Sequence, residues 1–161
     1  MKRIKRISAW ILTLAILLTL TVPTFAASSV QSEVQSSAAF MLSSVKSPEV
    51  GSIGGEWAVL GLARSGYSVR TDYFDTYYAN VEKYVKNCDG VLHERKYTEY
   101  SRVILALTAI GRDPSNVAGY NLLAPLADFD AATQPGVTSA AYVLLALDCG
   151  NYEIPTVETG K

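Results

Sequence analysis

The sequence has few histidines and cysteines, which are the usual ligands of zinc and the sources of imidazole and thiol groups in catalysis. Its 161 residues include one histidine, His93, and two cysteines, Cys88 and Cys149. Their spacing matches no zinc motif, because structural zinc sites need four ligands at characteristic intervals. His93-Glu94 begins like a metalloprotease helix, but Tyr97 stands where the second histidine belongs. The sequence therefore predicts no metal site and no cofactor.

The two cysteines leave their own redox state open. An exported chain could join Cys88 to Cys149 in a disulfide. Two free thiols at helix ends are equally compatible with the sequence, because spacing alone does not show whether the two Cα atoms come close enough.

Positive charge is scarce outside the first six residues. Four of the 14 Lys and Arg lie there, whereas all 15 Asp and Glu follow residue 26, so 27–161 carries ten positive and fifteen negative side chains. Proteins bind nucleic acids mainly through clustered Lys and Arg that neutralise phosphates. A net charge near −5 without a basic patch excludes nucleic acid as a partner.

The N-terminal residues have the three parts of a secretory signal peptide. Basic residues at 2–6 precede the apolar run 7–20, and Thr24 and Ala26 are small enough for signal peptidase. We expect a signal peptide at 1–26, cleavage after Ala26, and a secreted protein, extracellular or at the cell surface. Contact with a membrane is expected only through this peptide before cleavage. A retained anchor is the alternative.

Helical periodicity covers most of 30–150, with glycine or proline between segments. An amphipathic helix is predicted over 30–45, with Val34, Ala38, Met41, Leu42 and Val45 on its apolar side. Residues 57–63 are apolar nearly all round, which is typical of a helix covered by other helices. This second helix starts near Glu56 and ends at Gly66.

The same alternation continues to residue 150. An outer amphipathic helix is predicted from the aromatic and β-branched stripe formed by Tyr73, Phe74, Tyr77, Tyr78, Val81, Tyr84 and Val85. That stripe could instead be a contact surface, although packing of the helix is favoured. An apolar inner helix over 103–110 ends at Gly111, and another over 138–147 ends at Gly150. A short helix is expected over 119–129, with Leu122, Leu123, Leu126 and Phe129 inward.

Aligning the terminal glycines reveals a repeat. With Gly66, Gly111 and Gly150 in register, leucines coincide at positions 60, 105 and 144, and β-branched residues at 59, 104 and 143. Each two-helix repeat buries its apolar surface only against its neighbours, so such an array must be capped or continue. We therefore expect 156–161 to be a tail or truncation point.

Three segments carry a resemblance to a known family: GGEWAVLGLARSGY (54–67), KYTEYSRVILALTAIGRDPSNVAGYNLLAPLADFD (96–130) and AAYVLLALDCGNYEIP (140–155). They resemble secreted Gram-positive bacterial proteins with prenyltransferase-like and squalene-cyclase-like repeats. The resemblance implies an all-α fold, the α/α toroid, a ring of six helical hairpins shared with terpenoid cyclases, protein prenyltransferase β subunits and cobalamin carriers. Residues 27–155 would then hold about three hairpins of an incomplete ring, which could pair with missing hairpins or another chain.

The catalytic signatures of those enzymes are incomplete here. Squalene-type cyclases use Asp-x-Asp-Asp, whereas this chain has Asp128-Phe129-Asp130 followed by Ala131. Prenyltransferase β subunits bind zinc through Asp, Cys and His, and the adjacent Asp148-Cys149 has no histidine after it. No nucleophile, base and orienting group form a triad. We therefore predict no catalytic residue.

A ligand site remains a hypothesis at the rim of the array. Its candidate residues are His93, Glu94, Arg95, Glu99 and Arg102, with Trp57 at the cavity mouth. The alternatives are an ion-paired helix start capped by Thr98, and a tryptophan buried in the core.

The function favoured by these residues and by the resemblance is a non-catalytic extracellular binding or scaffold module. Its partner would be a small hydrophobic or corrinoid-like molecule, or a component of the cell surface. A fragment of a diverged isoprenoid-handling enzyme and a wall-associated adhesion protein are the alternatives.

Overall fold

The computed structural model describes residues 22–51 and 54–153, with side chains from residue 29. Within these ranges the chain is all-α, as predicted, and has no β-strand. The helices are α1 Val22–Ser44, α2 Glu56–Arg64, α3 Thr71–Asn87, α4 Tyr97–Ala109, α5 Phe129–Thr133 and α6 Val137–Asp148, with a 3-10 turn at Ala124–Ala127. Most of the predicted signal peptide (1–21) and the tail 156–161 lie outside the described residues, and the predicted cleavage point after Ala26 falls within α1.

The chain divides into two compact units between Ser37 and Ala38. In the described part of the first unit, Val30 and Val34 are exposed, so the prediction that Val34 lies inward was wrong. The second unit contains the end of α1 and all later elements. Within it Ala38 is buried and Met41 packs against the core.

Helix α4 packs between α2 and α6, and we call these three helices the row. Each of them buries a leucine near its C-terminal end: Leu62, Leu107 and Leu147. The prediction of covered apolar helices holds for α4, none of whose residues is exposed, but was wrong in part for α6, where Val137, Leu144 and Leu145 are exposed. Among the described helices, none has the length and apolarity required to cross a membrane.

Helix α3 is amphipathic, as its aromatic stripe predicted. Tyr73, Tyr77, Val81 and Val85 are buried on one side at spacings of four residues. Tyr84, which was expected to belong to this stripe, is exposed because it lies one residue out of that spacing.

The residues that close the three helices of the row match the prediction in α2 and α4 and differ from it in α6. Gly66 and Gly111 have positive φ, as expected for residues that close a helix, but in the third repeat the left-handed residue is Asn151 rather than Gly150. The amide of the residue after Gly111 donates to Leu107 O, and the amide after Asn151 donates to Leu147 O, both at 2.9 Å. Counted between these left-handed residues, the intervals are 45 and 40 residues, so the residue that closes the third helix lies one position later than predicted. The predicted pairing of Val59, Ile104 and Val143 agrees with burial, because all three are fully buried.

The predicted helix over 119–129 does not form. A tight turn with positive φ at Ala118 and Gly119 replaces its beginning. Asn121 Oδ1 accepts from the Leu123 amide at 2.9 Å, and Pro125 starts a 3-10 turn. A proline in mid-segment removes a helical hydrogen bond and an asparagine side chain favours a turn, and together they outweigh the apolar spacing.

The apolar residues of that segment are nonetheless mostly placed as expected. Leu122, Leu123 and Leu126 are buried, because the turn still directs them into the core. Phe129 was predicted to lie inward and is exposed, since it now begins the separate short helix α5.

We predict opposite effects for the same substitution at two glycines. Gly61→Ala should raise the free energy of unfolding by about 0.5–1 kcal/mol, because Gly61 is helical and an added Cβ would lie 3.7 Å from Met41. Gly111→Ala should lower it by about 1–2 kcal/mol, because alanine disfavours the φ of +73° there. Urea unfolding followed by circular dichroism measures both, and equal signs would contradict the left-handed assignment.

Candidate functional site

Three large side chains occupy equivalent positions on the row. The repeat lengths of 45 and 40 residues place Trp57, Arg102 and Tyr142 at the same position of α2, α4 and α6. One turn further along, the same offsets relate leucines at positions 60, 105 and 145, all at least partly exposed. We call the surface formed by these six residues the row face.

Trp57 and Tyr142 contact each other across the row. The rings of Trp57 and Tyr142 meet edge to face, with centroids 6.0 Å apart and planes at 68°. Because both helices pack on α4, the aromatic pair links the two flanking helices of the row. Trp57 is 42% exposed, so the alternative of a tryptophan buried in the core is wrong.

Glu56 lies directly beneath this face and is buried, with 2% of its surface exposed. Its Oε1 accepts from the Gly51 amide at 2.7 Å, which ties the preceding loop to the start of α2. Its Oε2 accepts no hydrogen bond from the described residues and lies 3.9 Å from Arg102 Nε. A buried carboxylate needs compensating charge, and Arg102 supplies it.

Arg102 pairs with two carboxylates. Its Nη2 donates to Glu99, one turn earlier on α4, while its Nε faces Glu56 on α2. The three side chains form one ion network of net charge −1. Glu99 and Arg102 are partly exposed, so the network connects the buried Glu56 to the surface beside Trp57.

Tyr77 of α3 adds a second buried polar group near this network. Its hydroxyl makes no hydrogen bond to any described residue. Burial raises the pKa of Tyr77 well above its usual value, the Glu56 carboxylate raises this pKa further, and Arg102 opposes them. Tyr77 therefore stays protonated and keeps a hydroxyl donor inside the core.

Of the polar residues that the sequence singled out at 93–102, the structure brings only some together. Glu99 and Arg102 join Glu56, whereas Glu94 and Arg95 are exposed on the turn before α4. His93 Nδ1 accepts from the amides of Arg95 and Lys96, both at 3.1 Å. His93 thus holds this turn through two hydrogen bonds to backbone amides.

The alternative of a capped, ion-paired helix start is partly correct. The ion pair exists, but Thr98 is not the cap, because α4 begins at Tyr97 and Thr98 lies inside the helix. His93 accepts from the amides of Arg95 and Lys96, which precede the helix, and no side chain caps the start of α4. By contrast, Asp128 of the incomplete acidic motif accepts from the Ala131 amide at 3.1 Å and caps α5.

Both cysteines are free and lie at helix ends. Cys88 Sγ contacts Val85 O at 3.5 Å at the end of α3, and Cys149 Sγ contacts Ala146 O at 3.2 Å at the end of α6. The disulfide that the sequence left open is not formed. Burial raises the pKa of the Cys88 thiol, which disfavours its reactive thiolate form.

Sequence reasoning missed two residues of this site, Glu56 and Tyr142. The register with Gly150 aligned Trp57 with Ala141, so the one-residue error concealed the second aromatic residue. Glu56 looked like an ordinary acidic residue in a first helical turn, which the helix dipole favours. Only the packing of α4 over that turn shows that the carboxylate is buried.

Comparison of the chain with protein-family models, with curated proteins and with solved structures finds no match. In the part of the chain that the structure describes, no group of three or more His, Cys, Asp or Glu side chains is placed to hold a metal ion.

We predict that Arg102→Met lowers the free energy of unfolding by about 3–5 kcal/mol, because Glu56 would remain buried without a counter-charge. Arg70→Met is the matched control, since its pair with Asp72 is exposed and should cost less than about 0.5 kcal/mol. Chemical denaturation of both variants tests this. Similar losses would show that Arg102 does not compensate Glu56.

Proposed function

We propose that the chain is a non-catalytic extracellular binding or scaffold module of the α/α toroid type, exported by its N-terminal signal peptide. The side-by-side packing of α2, α4 and α6 supports the toroid, because inner helices of such a ring stand next to one another. The three equivalent positions at 57, 102 and 142 support a repeat of helical hairpins.

The observation that carries the binding role is the aromatic pair, in which Trp57 is exposed and Tyr142 is partly buried. Trp57 and Tyr142 come from helices that lie 85 residues apart in the chain, and their rings meet on the surface rather than in the core. With Leu60, Leu105 and Leu145 they form an apolar surface on a well-packed support. Tryptophan and tyrosine supply large contact areas at low entropic cost, which is why they dominate binding surfaces.

The proposed ligand is a small apolar molecule with a few polar groups, of the isoprenoid or corrinoid-like kind. Its apolar part would lie on the aromatic pair and the leucines of the row face. The polar part would meet Arg102 and Glu99, which are partly exposed beside that surface. Since Arg102 is already paired with two carboxylates, these residues suit orientation of a ligand rather than proton transfer.

Trp57 allows a direct binding measurement, because Trp10 is the only other tryptophan and lies in the predicted signal peptide. We expect farnesol or dicyanocobinamide to change the tryptophan emission of the wild type, in which Trp57 is the one tryptophan left after export. Trp57→Ala should weaken binding of the same probe at least about tenfold, because aromatic anchors carry most of a binding surface's free energy. Calorimetric titration measures that loss without fluorescence.

Phe40→Ala is the matched control, because Phe40 is an exposed aromatic residue on α1, outside the row face. It should leave the affinity for the probe unchanged. The proposal fails if neither probe binds, or if Trp57→Ala and Phe40→Ala bind as tightly as the wild type.

A further inference from the structure

Helix α6 carries a second apolar stripe, distinct from the row face. Val137, Ala141 and Leu144 are exposed along one side, which ends at exposed Asp148. Val137 is 85% exposed and Leu144 52% exposed. Exposed apolar residues in a continuous stripe mark an interaction surface more often than scattered ones do.

The equivalent stripes on the other row helices are interfaces. On α2 this stripe includes Glu56, which reaches Arg102 of α4. On α4 it includes Thr108, whose Oγ1 lies 2.8 Å from the hydroxyl of Tyr152, just after α6. The stripe of each helix therefore faces the next helix in the row.

The burial of the stripe also differs between α6 and the other two helices of the row. Val59 on α2 and Ile104 on α4 are fully buried, whereas on α6 Leu144, which lies 40 residues after Ile104, is half exposed and its neighbour Val143 is buried. Ser101 on α4 is buried, whereas its equivalent Ala141 is exposed. The side of α6 thus continues an interface already used twice within the chain, with nothing from the described residues covering it.

The stripe is complementary to a reversed copy of itself. Its residues are spaced by four, three and four positions, so the order reads the same in both directions. In an antiparallel pair, small Ala141 would oppose larger Leu144, and Val137 would oppose Asp148. No charge interrupts the three apolar positions.

Charge also favours the antiparallel arrangement. Gly136 at the start of α6 makes no side-chain cap, and the first turn has no acidic residue. Asp148 lies at the other end, where the helix dipole disfavours a carboxylate. Reversal would bring Asp148 of each copy to the positive, uncapped end of the opposite α6.

We infer that a second copy of this chain docks on the stripe formed by Val137, Ala141, Leu144 and Asp148, giving an antiparallel, twofold-symmetric α6 pair. Such isologous contacts are the commonest among soluble oligomers. One helix pair buries much less than the roughly 800 Å² per partner of a stable standard interface, so the dimer is expected to be weak. The dissociation constant should be on the order of 10 µM or higher.

Sedimentation velocity from about 5 to 500 µM tests the inference, on protein produced from the full coding sequence and processed naturally. We expect a concentration-dependent monomer–dimer equilibrium. Leu144→Glu should raise the dissociation constant at least about tenfold, because each copy would bury an unpaired carboxylate. Phe40→Glu is the matched control, since Phe40 is 73% exposed elsewhere in the chain, and should leave the equilibrium unchanged.

Asp148→Lys tests whether the two copies of α6 pair in the antiparallel direction. A lysine is favourable at the C-terminal end of its own α6, so circular dichroism should show an intact fold. The same lysine would be repelled by the positive N-terminal end of the opposite α6, which should weaken the dimer about tenfold. A monomer at 500 µM would overturn the inference, and so would a dimer insensitive to Leu144→Glu or to Asp148→Lys. Because Trp57 is outside the stripe, failure here leaves the ligand-binding proposal to its own test.

Discussion

The packing of α4 against both α2 and α6 is the constraint on which the other features depend. It covers Val59 and Ile104 completely and forces the start of α2 against the middle of α4. Glu56 is buried at this contact, and Arg102 supplies its counter-charge. Changing the contact between these two helices would alter the core, the ion network and the row face together.

The ion network illustrates how a polar group can fix a helical arrangement. Leucine and valine contacts tolerate small rotations of one helix against another, because apolar packing has little directional preference. A buried carboxylate with one hydrogen bond to a loop amide and one nearby guanidinium tolerates far less. Glu56 therefore specifies how α2 is set against α4, at a cost in desolvation that apolar residues would avoid.

Much of the helical framework could be predicted from the sequence, because periodicity and glycine signals agree there. The helices containing Trp57, Tyr77, Leu107 and Val143 all lie where the pattern placed them. The segment 119–129 was mispredicted because Pro125 and Asn121 act through backbone hydrogen bonding, which apolar spacing does not register.

The site was harder to predict than the helices. The structure brings Glu99 and Arg102 together beside Glu56, which precedes Trp57, whereas His93 accepts hydrogen bonds within a turn and Glu94 and Arg95 lie on the surface. Which carboxylate is buried, and which aromatic residue meets Trp57, depends on the register between helices. That register differs by a single residue between Gly150 and Asn151, and only φ angles distinguish them.

The left-handed residues at the helix ends bear on how the lengths of the connections between helices can change. Each one closes its helix with a local turn, so the rotational setting of the row does not depend on how long the following connection is. The intervals between these residues, 45 and 40, already differ by five. Connections between the helices can therefore differ in length while the helices keep their places.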